Sequence, residues 1–148
     1  MTIEVKNSIK LVDYTDSMQI LEDRVHSVLL GEKKELLWIL EHKTVFTAGS
    51  SSNEEDIINK TIQVVKTNRG GKHTLHLPGQ KIAYFVLDLN KRGKNIKKLI
   101  TNIENCIIGI LKEYNIESFK DSENIGIWTN YKSKKVKGIV MNKKINIH

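Results

Sequence analysis

The stretch Asn68-Arg69-Gly70-Gly71-Lys72-His73-Thr74-Leu75-His76-Leu77-Pro78-Gly79-Gln80, followed at once by Ile82-Ala83-Tyr84-Phe85-Val86-Leu87, carries most of the information in this chain. Consecutive glycines free the backbone for positive φ and for close approach by another group. Their N–H groups can face an anion or a developing oxyanion. Arg69 either binds a carboxylate or phosphate or locks the loop. A tight hairpin turn with a solvated arginine satisfies the same residues. The apolar run from Ile82 to Leu87 is expected to be a central strand covered on both faces.

Outward from this centre, the pattern alternates between periods. Met18, Leu21, Val25, Val28 and Leu29 step at helical spacing, with Asp16 or Ser17 as the expected N-cap and Gly31 as the stop. Leu36 to Leu40 reads as a buried strand, Thr44 to Thr47 and Gln63 to Lys66 as further strands, and Ala48 to Asn53 as a loop. Leu99, Ile100, Ile103, Cys106, Ile107, Ile110, Leu111 and Tyr114 define a long helix from about Asn95. Ile125 to Tyr131 and Lys135 to Met141 look like two more strands. The fold class expected is α/β, one mixed sheet flanked by helices, in a single domain over residues 1–148.

Composition narrows the function. The 148 residues carry a net charge of +7. Six lysines at 132, 134, 135, 137, 143 and 144, with no acid among residues 132–148, supply nearly all of it, leaving 18 basic against 17 acidic residues elsewhere. A nucleic-acid face needs a folded basic stripe with polar or aromatic readers, and this lysine-rich tail offers neither, so nucleic acid is not the expected partner. No apolar run reaches the ~18 residues of a membrane span, and no secretory signal opens the chain. A cytoplasmic protein is expected. The one cysteine, Cys106, excludes an internal disulfide and a multi-cysteine metal site.

Four side chains invite chemistry. His73 and His76, three apart, fall on opposite faces of an extended segment, so no shared metal is expected and no cofactor is called for. His76, just before the Pro-Gly corner, is open to three roles: pocket wall, general base or hydrogen-bonded structural residue. His42 has the same ambiguity. Cys106 lies in the helix stripe and is expected to be a buried, protonated thiol rather than a nucleophile. No nucleophile elbow, phosphate-binding P-loop or dinucleotide fingerprint is present.

Taken in order, Leu37-Trp38-Ile39-Leu40-Glu41-His42, Val45-Phe46-Thr47-Ala48-Gly49, the Asn68 to Gln80 string, Tyr84 to Leu89 and Gly126-Ile127-Trp128 resemble the lipoyl (octanoyl) transferase family, also called lipoate–protein ligase B. The similarity runs over roughly residues 10 to 137. It implies a biotin-ligase and lipoate-ligase-like catalytic domain, here incomplete at its C-terminus. It implies transfer of an octanoyl group from acyl carrier protein to a lysine of the lipoyl domains of 2-oxoacid dehydrogenases. Arg69, Gly70, Gly71, Lys72, His73, Thr74, Leu75 and His76 would line the acyl pocket. In the family a cysteine near the C-terminus takes the acyl group as a thioester, and a lysine lowers its pKa. Lys137 is the candidate for that lysine and Lys135 the next.

The departures matter equally. Leu75 stands where the family usually has an aromatic residue, and Leu77 where glycine is typical. The match fades after Lys137, and the Pro-Cys-Gly segment that holds the nucleophile is absent. Cys106 matches a packing position of the family helix. The expectation is therefore an octanoyltransferase homologue that is inactive for want of its thiolate. The alternatives are a non-catalytic module that binds acyl groups or carrier protein, and a protein that interacts through its basic tail.

Overall fold

The computed structural model describes residues 2–121, 126–131 and 134–139. They divide into two compact units, residues 1–88 and 89–148.

The first unit begins with a strand–helix–strand crossover: β1 (Ile3–Asn7), α1 (Tyr14–Leu29) and β2 (Glu35–Leu40). Strands β1 and β2 pair in parallel, which requires a crossover element between them. Helix α1 starts a full turn earlier than the Asp16 or Ser17 expected from its apolar spacing. Asp13, in extended conformation, is the N-cap, and its Oδ1 accepts from Thr15 N–H at 2.9 Å. Ser17 is instead fully buried inside the helix, its hydroxyl donating to Tyr14 O at 2.6 Å. The helix ends where Gly31 takes φ +74°, its N–H bonded to Val28 O.

Four more strands complete this unit: β3 (Val45–Ala48), β4 (Val64–Lys66), β5 (His73–His76) and β6 (Ile82–Val86). They build two mixed sheets of three strands, ordered β1-β2-β6 and β4-β3-β5. In each, the central strand is parallel to one neighbour and antiparallel to the other. The mixed α/β class expected from the sequence holds, divided among several small sheets. Strands β1 and β5 are additional to that expectation.

The core lies between α1 and the first sheet. Val28, Leu36, Trp38, Leu40 and Val86 are buried, with Val12, Leu21, Val25, Ile82 and Tyr84 packed around them. Trp38 anchors it. Its indole N–H donates to Ser8 Oγ at 3.0 Å, and Lys6 Nζ lies 4.1 Å from the ring centroid. Strand β2 is buried as expected, but β6 is not the central strand its unbroken apolar run suggested. Among the described residues β6 pairs with β2 alone. It turns Ile82, Tyr84 and Val86 inward and leaves Phe85 42% exposed. An apolar run reports composition, and only the neighbours decide whether one face or two are covered.

The second unit holds α2 (Ile96–Glu113) and an antiparallel sheet of β7 (Ser118–Lys120), β8 (Ile127–Tyr131) and β9 (Lys134–Ile139). Strand β7 is also additional to the expectation. Asn95 caps α2, accepting from Lys98 N–H at 2.9 Å. Asn115 ends it in the left-handed region at φ +59°. Lys120 of β7 reaches Glu104 at 3.3 Å and Thr101 O at 3.4 Å. Ile100, Glu104, Ile107 and Leu111 are half-buried along one side of the helix. Cys106, on the opposite margin of the stripe, is exposed, which corrects its expected burial. Within the described residues, no helix is long and apolar enough to cross a membrane.

Candidate active site

The Arg69 loop is laced to the end of β3. Arg69 Nη2 donates to Thr47 O at 2.8 Å, Thr47 Oγ1 at 3.1 Å and Lys72 O at 2.9 Å, and Nη1 donates to Gly70 O at 3.1 Å. Of the two roles open to Arg69 in the sequence, locking the loop is the one its contacts satisfy. Two glycines make the closeness possible. A Cβ on Gly49 would stand 2.3 Å from Gly71 O, and Gly71 itself has φ +88°.

Strand β5 then distributes the rest of the motif over two faces. The antiparallel register pairs Val45 with His76, Phe46 with Leu75, Thr47 with Thr74 and Ala48 with His73. Thr74 and His76 thus share a face with Thr47, while Leu75 and His73 share the other with Phe46. His73 packs edge-on to Phe46 at 6.3 Å between ring centroids. Lys72 points to solvent, 4.0 Å from Asp56. The expected pocket stretch is therefore divided. Arg69, Thr74 and His76 stand together with Gly70 and Gly71 at the turn, whereas His73, Leu75 and Lys72 lie elsewhere.

Around His76 the fold gathers residues from four segments. Tyr14 stacks on it with centroids 5.9 Å apart, and His42 meets it edge-on at 5.5 Å. Tyr84 lies beyond His42. His42 is fully buried. Its Nδ1 lies 3.0 Å from Val12 O, which can only accept, so Nδ1 carries the proton. Its Nε2, 2.8 Å from the Tyr84 hydroxyl, is then the acceptor of the neutral ring. Burial pushes the His42 imidazole below its ordinary range, against the pull of Val12 O. Burial, followed by His42, lowers His76 too, with Gln80 pulling the other way and Arg69 adding to the lowering. The phenols of Tyr14 and Tyr84 are both pushed up by burial. Near neutral pH the cluster is thus two uncharged imidazoles and two protonated phenols beside one guanidinium.

The corner after His76 is held from the same segment that supplies His42. Pro78-Gly79 forms a turn, with Gln80 N–H bonded to Leu77 O at 3.1 Å and Gly79 at φ +87°. Glu41 clamps it, accepting from Gly79 N–H at 2.7 Å and pairing with Lys81 at 2.7 Å. These two contacts hold its carboxyl below the usual range. The dipeptide Glu41-His42 thereby fixes both the ring of His76 and the turn behind it. His76 Nδ1 is buried and has no hydrogen-bond partner among the described residues.

The sequence alone assigned no role to Tyr14, Thr47 or Tyr84. For Tyr84 a signal existed. A tyrosine in an aliphatic strand carries a hydroxyl that must find a partner when buried. Nothing local marks Tyr14 or Thr47.

Comparison with known proteins bears on the family and the fold. The family model described as the lipoyl protein ligase A/B catalytic domain matches residues 13–147. An octanoyltransferase of Wolbachia pipientis wMel is 38% identical over 144 residues, covering 94% of this chain and 70% of the relative. The chain belongs to the octanoyltransferase family. A second octanoyltransferase, from Anaplasma phagocytophilum (strain HZ), is 39% identical over 130 residues, which cover 86% of this chain and 62% of that relative. Among solved structures, an archaeal bi-partite lipoate protein ligase, studied with its E2 lipoyl domain from Thermoplasma acidophilum, superposes with a TM-score of 0.59 at 13% identity. It covers 91% of this chain and 55% of that one. This likeness is one of fold.

As a member of the octanoyltransferase family, the chain has its two candidate lysines on β9. The register sets Lys137 opposite Trp128 and Lys135 opposite Asn130. Their side chains lie outside the described residues, as do Lys132, Ser133 and residues 140–148 of the lysine-rich tail.

Proposed function

We propose that this chain is the acyl-binding portion of an octanoyltransferase of lipoate biosynthesis. Octanoyl would pass from acyl carrier protein to a lysine of a lipoyl domain, in the cytoplasm. The observation that carries the reading is the pairing of a latched Arg69-Gly70-Gly71 loop with an uncharged wall of His42, His76, Tyr14 and Tyr84. Such a site suits a neutral thioester, which offers one polar oxygen and a long apolar tail. Lys137 would be the lysine that favours the thiolate, since a nearby ammonium stabilises the charged form. Lys135 is the next candidate.

The one cysteine of this sequence, Cys106, stands on the exposed margin of α2. It is not assigned the nucleophile's role. The chain by itself is accordingly proposed to bind the acyl donor without turning it over, the non-catalytic alternative raised by the sequence. The test incubates the full chain with octanoyl-acyl carrier protein and a lipoyl domain. Binding is followed by titration and transfer by the intact mass of the lipoyl domain. Donor binding without a mass gain on the lipoyl domain is expected. Transfer that persists in a Cys106→Ala variant would refute the inactivity, and no binding of the donor would refute the acyl site.

A further inference from the structure

Between Arg69 and Lys72 every main-chain carbonyl is occupied. Arg69 O accepts from Ser50 N–H at 2.9 Å and Gly71 O from Ser51 N–H at 3.1 Å. Gly70 O accepts from Arg69 Nη1 at 3.1 Å. Lys72 O accepts from Gly49 N–H at 3.3 Å and from Arg69 Nη2 at 2.9 Å. The N–H groups of Gly70 and Gly71, both exposed residues, donate to nothing among the described residues. A loop with all its acceptors consumed and its donors open presents dipoles of one sign. The guanidinium contributes to this because its planar fork holds donors on two nitrogens in fixed directions, here on Gly70 O and Lys72 O, whereas an ammonium offers its three donors from a single point on a flexible stem. The same contacts spend Nη2 entirely on Thr47 and Lys72.

We infer that Arg69 is a positioning residue that makes no direct contact with substrate: its side chain takes up the Gly70 and Lys72 carbonyls, beside the Ser50 and Ser51 amides that take up the other two, so that Gly70 and Gly71 turn their N–H groups to the carbonyl oxygen of a fatty-acyl thioester. The inference rests on the acyl-site reading above and assigns the recognition of oxygen to the glycines. Arg69 acts through them, at the cost of no charge facing the acyl group directly.

The test titrates the ¹⁵N-labelled full chain with two neutral probes, S-octanoyl-N-acetylcysteamine and its S-octyl thioether, which lacks the carbonyl. The thioester should shift the Gly70 and Gly71 amide protons downfield and leave the Arg69 side-chain signals in place. The thioether should bind at least about ten-fold more weakly without moving those amides. Arg69→Lys keeps the charge but not the fork. It should lose at least about ten-fold in thioester affinity and speed exchange of the Ser50 and Ser51 amides, with thioether affinity kept within about two-fold. Thioester binding at full strength in Arg69→Lys, or shifts at the Arg69 side chain with still glycine amides, would overturn the inference. Equal binding of both probes would overturn it while leaving an acyl slot intact. No binding of either probe to the unmodified chain would remove the acyl site and the inference together. If Arg69→Lys does not fold, the titration of the unmodified chain decides alone.

Discussion

Helix α1 buries Val28 and half-buries Leu21 and Val25 against β2 and β6, whereas α2, with the more regular stripe of isoleucines, buries no residue at all. Both helices are capped by a side chain at the N-terminus, Asp13 in one and Asn95 in the other. The difference is in what meets them. Helix α1 lies over the inward face of the first sheet, Leu36, Trp38, Leu40 and Val86. Helix α2 is met by the three residues of β7 at one side. An amphipathic pattern states which side of a helix avoids water, and the amount of surface removed from water depends on a partner that the pattern does not name.

The sharpest way to break this contrast is Trp38→Ala. Trp38 is 1% exposed at the centre of the first unit. Its removal should destabilise that unit by about 3–5 kcal/mol, read from amide exchange of β2 and β6 in denaturant. Amides of α2 should respond far less. Equal loss in both regions would show that the two units unfold as one.

Gly49→Ala comes next. The added Cβ would meet a backbone carbonyl that is itself hydrogen-bonded, so relief requires the Arg69 loop to move. The expected cost is about 1–3 kcal/mol by urea unfolding, with faster exchange at Ser50 and Ser51.

The pH response should also separate the regions. His42 and His76 titrate below their ordinary value of 6.5 when folded. The unfolded chain then binds more protons than the folded one on the acid side of 6.5. Stability of the first unit should therefore fall as pH drops through that value, and level off once the folded imidazoles also protonate. The groups facing them are Tyr14, Tyr84 and Arg69, with Asp13 acting on His42. Urea midpoints at about pH 7.5 and about pH 5.5 check the sign. A first unit equally stable at both would mean that the imidazoles are not held neutral by burial.

The smallest effect is expected at Cys106→Ser. An exposed position on the margin of α2 should change stability by no more than about 0.5 kcal/mol in the same unfolding assay. A loss of several kcal/mol would restore the buried-thiol reading.

Much of the fold was legible from local pattern. Leu36 to Leu40 read as a buried strand because continuous aliphatic residues of that length suit a covered sheet position, and it is the centre of its sheet. The helix near Asn95 was recognisable from three- and four-residue spacing. The start of α1 was not, because Tyr14 and Thr15 hid a first turn that Asp13 caps from outside the apolar pattern. Strand β1 is not legible in the sequence because four of its five residues are exposed, so little in it distinguishes strand from loop. The site was legible in its motif but not in its geometry. Arg69, the glycines and the two histidines were identifiable, while the division of residues 72–76 between two faces required the register with β3.

Local sequence, then, determined the helical phases, the buried strand, the glycine loop and the family to which the chain belongs, since all of these are written in spacings of a few residues. Tertiary structure decided which carbonyls Arg69 takes up, which hydroxyl His42 accepts from, and which margin of α2 stays in water. The first two partnerships span 22 and 42 residues of chain. A hydrogen bond across that distance leaves no periodic trace in sequence, because its two ends are brought together only when the strands and helices between them have packed.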